Sequence, residues 1–307
     1  AEWISLARQM QKAGTLFLLL TGGEPLLFPD FKALYLELRK MGMILTINTN
    51  GTLMDEALAD FFAENPPRRI NITLYGTSKE TYRELCHYED GLEKALRGIR
   101  LLRERNIDIK INGSLVRNNS ADVESLVSLA HSLDAPINID TYLYPAARER
   151  SRPFQRQARL LPEDAAKGKV QFEKASLDSE TYLQLAQNIV TRVAETPDTP
   201  EKDFQSMRCQ AGRTSFTISW QGKLRPCVML SQPEIPVFES GFDSAWEELQ
   251  REIERINLNS RCSSCSLHQI CQTCAACAKQ ETGAYDGVPD YMCRYTRELL
   301  RLYSASV

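Results

Sequence analysis

The feature that most constrains this fold is an alternation of short apolar runs with helix-length amphipathic segments across the first 145 residues. EWISLARQMQKAG carries apolar residues at helical spacing and stops at Gly14. TLFLLL, at 15–20, is a continuous apolar run, as expected of a strand buried on both faces. The pattern repeats: PDFKALYLELRKMG then ILTIN, MDEALADFFAEN then RINITLY. It continues with SKETYRELCHYEDGLEKALRGIRLLRERN, a helical stretch broken near Glu89–Gly91, then IDIKINGSLV. SADVESLVSLAHSL and PINIDTYLY complete five strands, each pair joined by a helix. Such alternation predicts a parallel α/β sheet with helices outside. In an open sheet or a partial barrel alike, ligands bind at the C-terminal strand ends. The turns at those ends read TGGEP, NTNGT, YGTS and VRNNS.

Residues 146–206 change character. AARERSRPFQRQARLLPED is rich in arginine and proline and reads as a connection; a helical stretch follows near Glu180–Glu195, then the polar loop TPDTPEKD. The arginines at 148–159 read as a solvated face or a surface for an acidic peptide. From Met207 onward a cysteine-rich region begins. FTISW and KLRPCVML flank Gln221-Gly222 as a β-hairpin. A tryptophan-containing helix is expected at Ser244–Asn257, and few elements beyond it, where ligands rather than a core fix the loops.

Eight of the nine cysteines lie in the last 99 residues. Cys209 and Cys227 bracket Gly222 as Cys-x12-Gly-x4-Cys; Cys262, Cys265, Cys271, Cys274, Cys277 and Cys293 follow. Disulfide scaffolds spread their cysteines through small secreted folds. Clustering of Cys-x2-Cys pairs, with no secretory signal in the sequence, favours metal ligation in a reducing, cytoplasmic compartment. Eight thiolates are enough to hold two four-iron clusters, and Cys-x2-Cys pairs suit structural zinc as well. Cys86 stands apart and reads as a buried structural cysteine. His268, between Cys265 and Cys271, reads as a surface residue or as one tuning a cluster. With a net charge of −3 and no long block of like charges, nucleic-acid binding is not indicated. No apolar stretch is long enough to span a membrane.

TGGEP after a buried strand, followed by a TNG turn, resembles the radical S-adenosylmethionine (SAM) enzymes. The C-terminal cysteines resemble their SPASM extension, which carries auxiliary iron–sulfur clusters: Cys262, Cys265 and Cys271 match its Cys-x2-Cys-x5-Cys run. The next cysteine departs from the pattern, falling at Cys274 after two residues, with a further one at Cys277. ITLYGTSKETYREL is similar to a region of peptide-modifying members.

The resemblance implies an α/β fold: a partial (β/α)6 TIM-like barrel lacking its first strand, followed by a small cysteine-rich iron–sulfur domain. It implies three parts, a barrel at 1–145, a helical connection at 146–206 and a SPASM domain at 207–307. It implies SAM as cofactor, bound by Gly22, Gly23, Glu24 and Pro25, with Thr49, Asn50 and Gly51 beside them and Ser114 and Arg117 further along. It implies [4Fe-4S] clusters, two of them auxiliary. Cys262, Cys265, Cys271 and Cys293 hold the distal one. Cys209, Cys227 and one or both of Cys274 and Cys277 hold the proximal one. Family members also carry Cys-x3-Cys-x2-Cys ahead of TGGEP; the 20 residues preceding it here contain no cysteine. The expectation is therefore an N-terminally truncated sequence, inactive alone, or a protein that has lost its SAM cluster.

The implied activity is hydrogen abstraction from a peptide or protein, in maturation of a ribosomal peptide by a thioether or carbon–carbon crosslink. Implied partners are that substrate and an electron donor such as flavodoxin or ferredoxin. Sulfatase maturation is an alternative, against which stands Val228 where that subgroup has an aspartate. A non-catalytic iron–sulfur or zinc module is the alternative of another class. No catalytic side chain is identified.

Overall fold

The computed structural model describes residues 1–144, 158–196, 207 and 209–307. The chain forms two compact units, Ala1–Asp140 and Thr141–Val307.

The first unit alternates strand and helix as the sequence predicts. Its strands are β1 Phe17–Leu20, β2 Ile44–Thr49, β3 Arg69–Thr73, β4 Ile109–Ser114 and β5 Ile137–Asp140, all parallel and in sequential order. Between them run α2 Phe31–Lys40, α3 Glu56–Glu64, α4 Lys79–Cys86, α5 Gly91–Glu104 and α6 Val123–Ser132, after an initial α1 Glu2–Lys12. This is the five-stranded sheet of a partial barrel. Period-two alternation divides its faces. Leu45, Ile47, Ile70, Ile72, Ile109, Ile111 and Ile139 are buried. Their neighbours Thr46, Asn48, Asn71, Thr73, Asn112 and Ser114 are half-buried, and Asn71 Nδ2 donates to Asn48 Oδ1 at 2.7 Å.

One reading changes here, that of β1, and the expected helix break is found. TLFLLL is not buried on both faces: β1 is an edge strand, and Phe17 and Leu19 are 58% and 48% exposed. The long helical stretch breaks between α4 and α5, where His87 adopts φ +52° and closes α4. Cys86, at the end of α4, is half-buried.

In the second unit, α7 Pro162–Ser176 and α8 Ser179–Ala194 precede a small antiparallel sheet of β6 Thr217–Ile218, β7 Lys223–Arg225 and β8 Ile235–Pro236. The β6–β7 hairpin turns at Gly222, as expected. Its φ is +71°, and a Cβ there would stand 2.1 Å from the Phe238 ring, so only glycine fits. Short α9 Val237–Ser240 leads into α10 Phe242–Glu254, whose Phe242 and Trp246 cluster with Phe216. Then come α11 Ser260–Ser263, α12 Ala275–Thr282 and α13 Asp290–Ser304.

The helices α7 and α13 were not expected. Pro162 at the first helical position, with Glu163 and Asp164 behind it, starts α7 within the stretch read as a connection. α13 buries Tyr291, Met292, Tyr295, Leu299 and Tyr303 and packs along α7. There Tyr303 Oη donates to Glu173 Oε2 at 2.7 Å, and Arg294 forks onto Glu163 at 2.8 and 2.9 Å. A core, not ligands alone, therefore fixes the end of the chain.

Candidate functional site

At the C-terminal edge of the parallel sheet, the side chain of Glu24 joins the ends of β1 and β2. Its backbone is extended, and its carboxylate caps the 3-10 turn Pro25–Leu27 by accepting from Leu26 N–H at 3.1 Å. Thr49 Oγ1 donates to Glu24 Oε1 at 2.7 Å, and Asn50 N–H donates to Oε2 at 2.8 Å. Thr49, 3% exposed, in turn accepts from Gly51 N–H at 3.0 Å. Gly51 has φ +73°, with the place of a Cβ 3.0 Å from Ile72 Cγ2. Asn50 Oδ1 accepts from Thr52 N–H and Oγ1 at 2.9 and 2.8 Å, closing the turn on itself.

Two strands along, Asn119 performs a similar task. Its Nδ2 donates to the carbonyls of Tyr75 and Ser114 at 2.8 and 3.0 Å, tying the ends of β3 and β4, and its Oδ1 accepts from Val116 N–H. Asp122 Oδ2 accepts from Thr77 N–H and the Thr81 hydroxyl. Neither residue was singled out by itself from the sequence, although Asn119 lies within the VRNNS turn that was and Asp122 follows it. Ser114 ends β4 and Arg117 is exposed at the next turn. The structure thus brings Glu24, Thr49 and Asn50 into one hydrogen-bonded unit, with Ser114 and Arg117 further along the same edge.

In the second unit the thiols fall into two neighbourhoods. Burial raises the Cys262 pKa, and Cys271, Cys293 and Cys265 beside it raise it further. Cys293, on α13, is likewise raised by burial and then by Cys271 and Cys265, with Arg297 opposing. Burial also raises Cys227; the backbone N–H groups of Met229 and Leu230 oppose this, and its thiol neighbours are Cys274 and Cys209. Cys277 is fully buried on α12 and is pushed up to about 12, chiefly by that burial. Among the described residues no three His, Cys, Asp or Glu side chains converge as they would on a single metal ion.

Beside Cys274 and Cys277 lies a polar network that sequence reasoning missed. Tyr142 Oη donates to Glu281 Oε1 at 2.8 Å and stands 3.2 Å from Cys277 Sγ. Tyr144 Oη stands 3.7 Å from Cys274 Sγ. Arg159, 4% exposed, holds Glu281 at 2.6 and 3.3 Å, its guanidinium 3.9 Å from the Tyr291 ring centroid. Arg159 is therefore neither a solvated residue nor a peptide-binding one, because its charge is neutralised inside the unit. The other arginines of that run lie outside the described residues. Signals existed: Tyr142 and Tyr144 are i,i+2, and Cys277 and Glu281 are i,i+4 on one helix face. His268 Nδ1 lies 2.7 Å from the Cys265 carbonyl oxygen, which it meets as a donor.

The sequence profile of the Radical SAM superfamily matches residues 1–130. Residues 1–130 are a radical SAM domain. Among relatives, an AdoMet-dependent heme synthase of Methanosarcina barkeri is 23% identical over 286 residues, 90% of this chain and 82% of that one. A probable GTP 3',8-cyclase of Aeropyrum pernix is 25% identical over 224 residues, 72% of this chain and 60% of the other. Among solved structures, anSMEcpe with bound AdoMet has a TM-score of 0.72 at 18% identity, covering 99% of this chain and 89% of its own. Streptococcus suis SuiB bound to precursor peptide SuiA has a TM-score of 0.71 at 18% identity, covering 95% and 68%. These two likenesses are of fold.

The residues present fit SAM itself but not the cluster that cleaves it, since residues 1–20 contain no cysteine. Nothing lies within 4 Å of the positions a Cβ would take at Gly22 and Gly23, so the backbone there is open to a ligand. Glu24 is more constrained than expected. Oε1 already accepts two hydrogen bonds and Oε2 one, which leaves a lone pair of Oε2 for a further donor. The two thiol neighbourhoods, one of four and one of three or four, fit two clusters in number and in chemistry.

Proposed function

We propose that this chain carries the SAM-binding and auxiliary-cluster parts of an enzyme that modifies a peptide or protein by hydrogen abstraction, joining two of its residues through a thioether or carbon–carbon bond. The observation that carries the reading is the Glu24–Thr49–Asn50 lock beneath the open backbone of Gly22 and Gly23. The lock sits at the strand ends where this fold class binds ligands. Two thiol neighbourhoods in the same chain support auxiliary clusters. The fold is also that of proteins crystallised with peptides: SuiB with SuiA, and anSMEcpe with Kp18Cys.

In this reading the spare lone pair of Glu24 Oε2 accepts from the SAM amino group, while Thr49 and Asn50 keep the carboxylate aimed. Gly22 and Gly23 let the main chain approach the cofactor, and Ser114 and Arg117 meet its ribose and carboxylate. SAM, with a cluster whose cysteines residues 1–20 do not contain, would supply a carbon radical that takes one hydrogen atom, started by an electron from a donor of the flavodoxin or ferredoxin kind; the second hydrogen would leave as a proton, its electron passing to an auxiliary cluster. The protein's part is to bind, orient and exclude water. Cys262, Cys265, Cys271 and Cys293 hold one auxiliary cluster; Cys209 and Cys227 hold the other with one or both of Cys274 and Cys277.

A second reading has a specific observation in its favour. The heme synthase relative aligns over both units, so a tetrapyrrole substrate is the alternative. The reconstituted protein, carrying the Cys-x3-Cys-x2-Cys segment that the radical reaction needs and that residues 1–20 do not contain, is given SAM and a reductant and assayed with a precursor peptide from its gene neighbourhood and, separately, with iron coproporphyrin III. Deoxyadenosine formation with loss of two hydrogen atoms from the peptide supports the proposal. Turnover of the porphyrin alone overturns it in favour of the second reading.

A further inference from the structure

The chemistry leaves open which α12 cysteine holds the proximal cluster, and hydrogen-bond arithmetic around Tyr142 distinguishes them. A tyrosine hydroxyl has a single hydrogen. Glu281 is gripped by the two-pronged Arg159 guanidinium, and Tyr142 donates its hydrogen there at 2.8 Å. Towards Cys277 Sγ, 3.2 Å away, the Tyr142 oxygen then presents only a lone pair. The donor in that contact must be the Cys277 S–H. Cys277 is also fully buried among Ala275, Ala276 and Ala278.

Cys274 has the opposite surroundings. It is the N-cap of α12, and its Sγ accepts from Cys277 N–H at 3.5 Å. The Tyr144 hydroxyl stands 3.7 Å away. The N–H is a donor to sulfur, and it sits at the N-terminal end of the helix, where N–H groups stabilise negative charge. Cys274 is also a thiol neighbour of Cys227, as Cys209 is.

We infer that Cys209, Cys227 and Cys274 ligate the proximal cluster, and that Cys277 is a buried thiol held outside it by Tyr142, Glu281 and Arg159. The inference rests on the reading of these thiols as cluster ligands. Three cysteines leave one cluster iron for a ligand from outside this set, a position suited to a substrate thiolate or carboxylate.

The test uses the full chain, reconstituted anaerobically, with iron and sulfide counted per chain and the reduced protein examined by electron paramagnetic resonance. Cys277→Ala should keep the wild-type iron, sulfide and spectrum, whereas Cys274→Ala should lose one cluster's worth of iron. Tyr142→Phe, which leaves α12 intact, should also keep the full iron content. Equal iron loss in Cys277→Ala and Cys274→Ala, with both variants folded by circular dichroism, would overturn the ligand choice. Wild-type protein that takes up zinc without sulfide would overturn the cluster reading itself, separately from the comparison of variants.

Discussion

At the residue scale, Thr49 is the most constrained side chain of the first unit's site. Its hydroxyl is at once donor to Glu24 and acceptor for Gly51 N–H, and it is almost completely buried. Thr49→Val keeps the shape and removes both bonds, leaving Gly51 N–H and Glu24 Oε1 short of a partner. Stability should fall by about 1–3 kcal/mol, read from the urea midpoint, and SAM affinity should fall with it. Thr49→Ser should restore both. A Thr49→Val protein with wild-type stability would show that the lock is incidental. Gly51→Ala tests the same turn through its backbone, because φ +73° and Ile72 oppose a Cβ. A loss of about 1–2 kcal/mol is expected. The motif TGGEP pointed to Glu24, yet its structural partners were not legible. They lie 25 and 26 residues away and are joined through hydrogen bonds, which no periodicity records.

At the element scale, the parallel sheet was legible and the α7–α13 pair was not. β2, β3 and β4 each place two isoleucines or leucines two residues apart, at 45 and 47, 70 and 72, and 109 and 111, so spacing alone reveals a buried face. α13 instead buries three tyrosines along with Met292 and Leu299, and Cys293 within it drew the reading towards a ligand loop. Its packing on α7 predicts that Leu299→Ala lowers stability by about 2–5 kcal/mol, with the loss seen in the second unit's transition.

The Arg294–Glu163 pair between the same helices adds a pH dependence. The Arg294 hydrogen bond holds the Glu163 carboxyl below its usual value. The contribution is therefore present above the unfolded carboxylate pKa and lost as pH falls through the folded one. Both side chains are over a third exposed, so the effect is small. Glu163→Gln should lower the thermal midpoint slightly at neutral pH and converge with wild type in acid. A difference that persists below the carboxylate range would assign the effect to packing instead.

At the scale of the whole molecule, the two units are stabilised by different means, and that difference is measurable. The first unit rests on an apolar sheet face covered by helices, with no cysteine but Cys86. In the second, α7, α8 and α13 share a conventional core, whereas the described stretches 209–234 and 255–274 hold only two-residue and three-residue strands and one four-residue helix. Six of the eight clustered cysteines lie in those stretches. Where so little regular structure surrounds the proposed ligands, metal binding is expected to be itself a source of folding free energy. Removing iron by chelation under oxidising conditions should therefore act locally. Amide hydrogen exchange should rise steeply in 209–234 and 255–274, while β2, β3, β4 and the α7–α13 pair keep their protection. If protection is lost evenly through both units, the clusters support the whole chain and the division of labour argued here is wrong. If exchange does not change anywhere, the cysteine loops are held by their own side chains, and a redox or substrate role becomes the only reason for eight thiols to gather there.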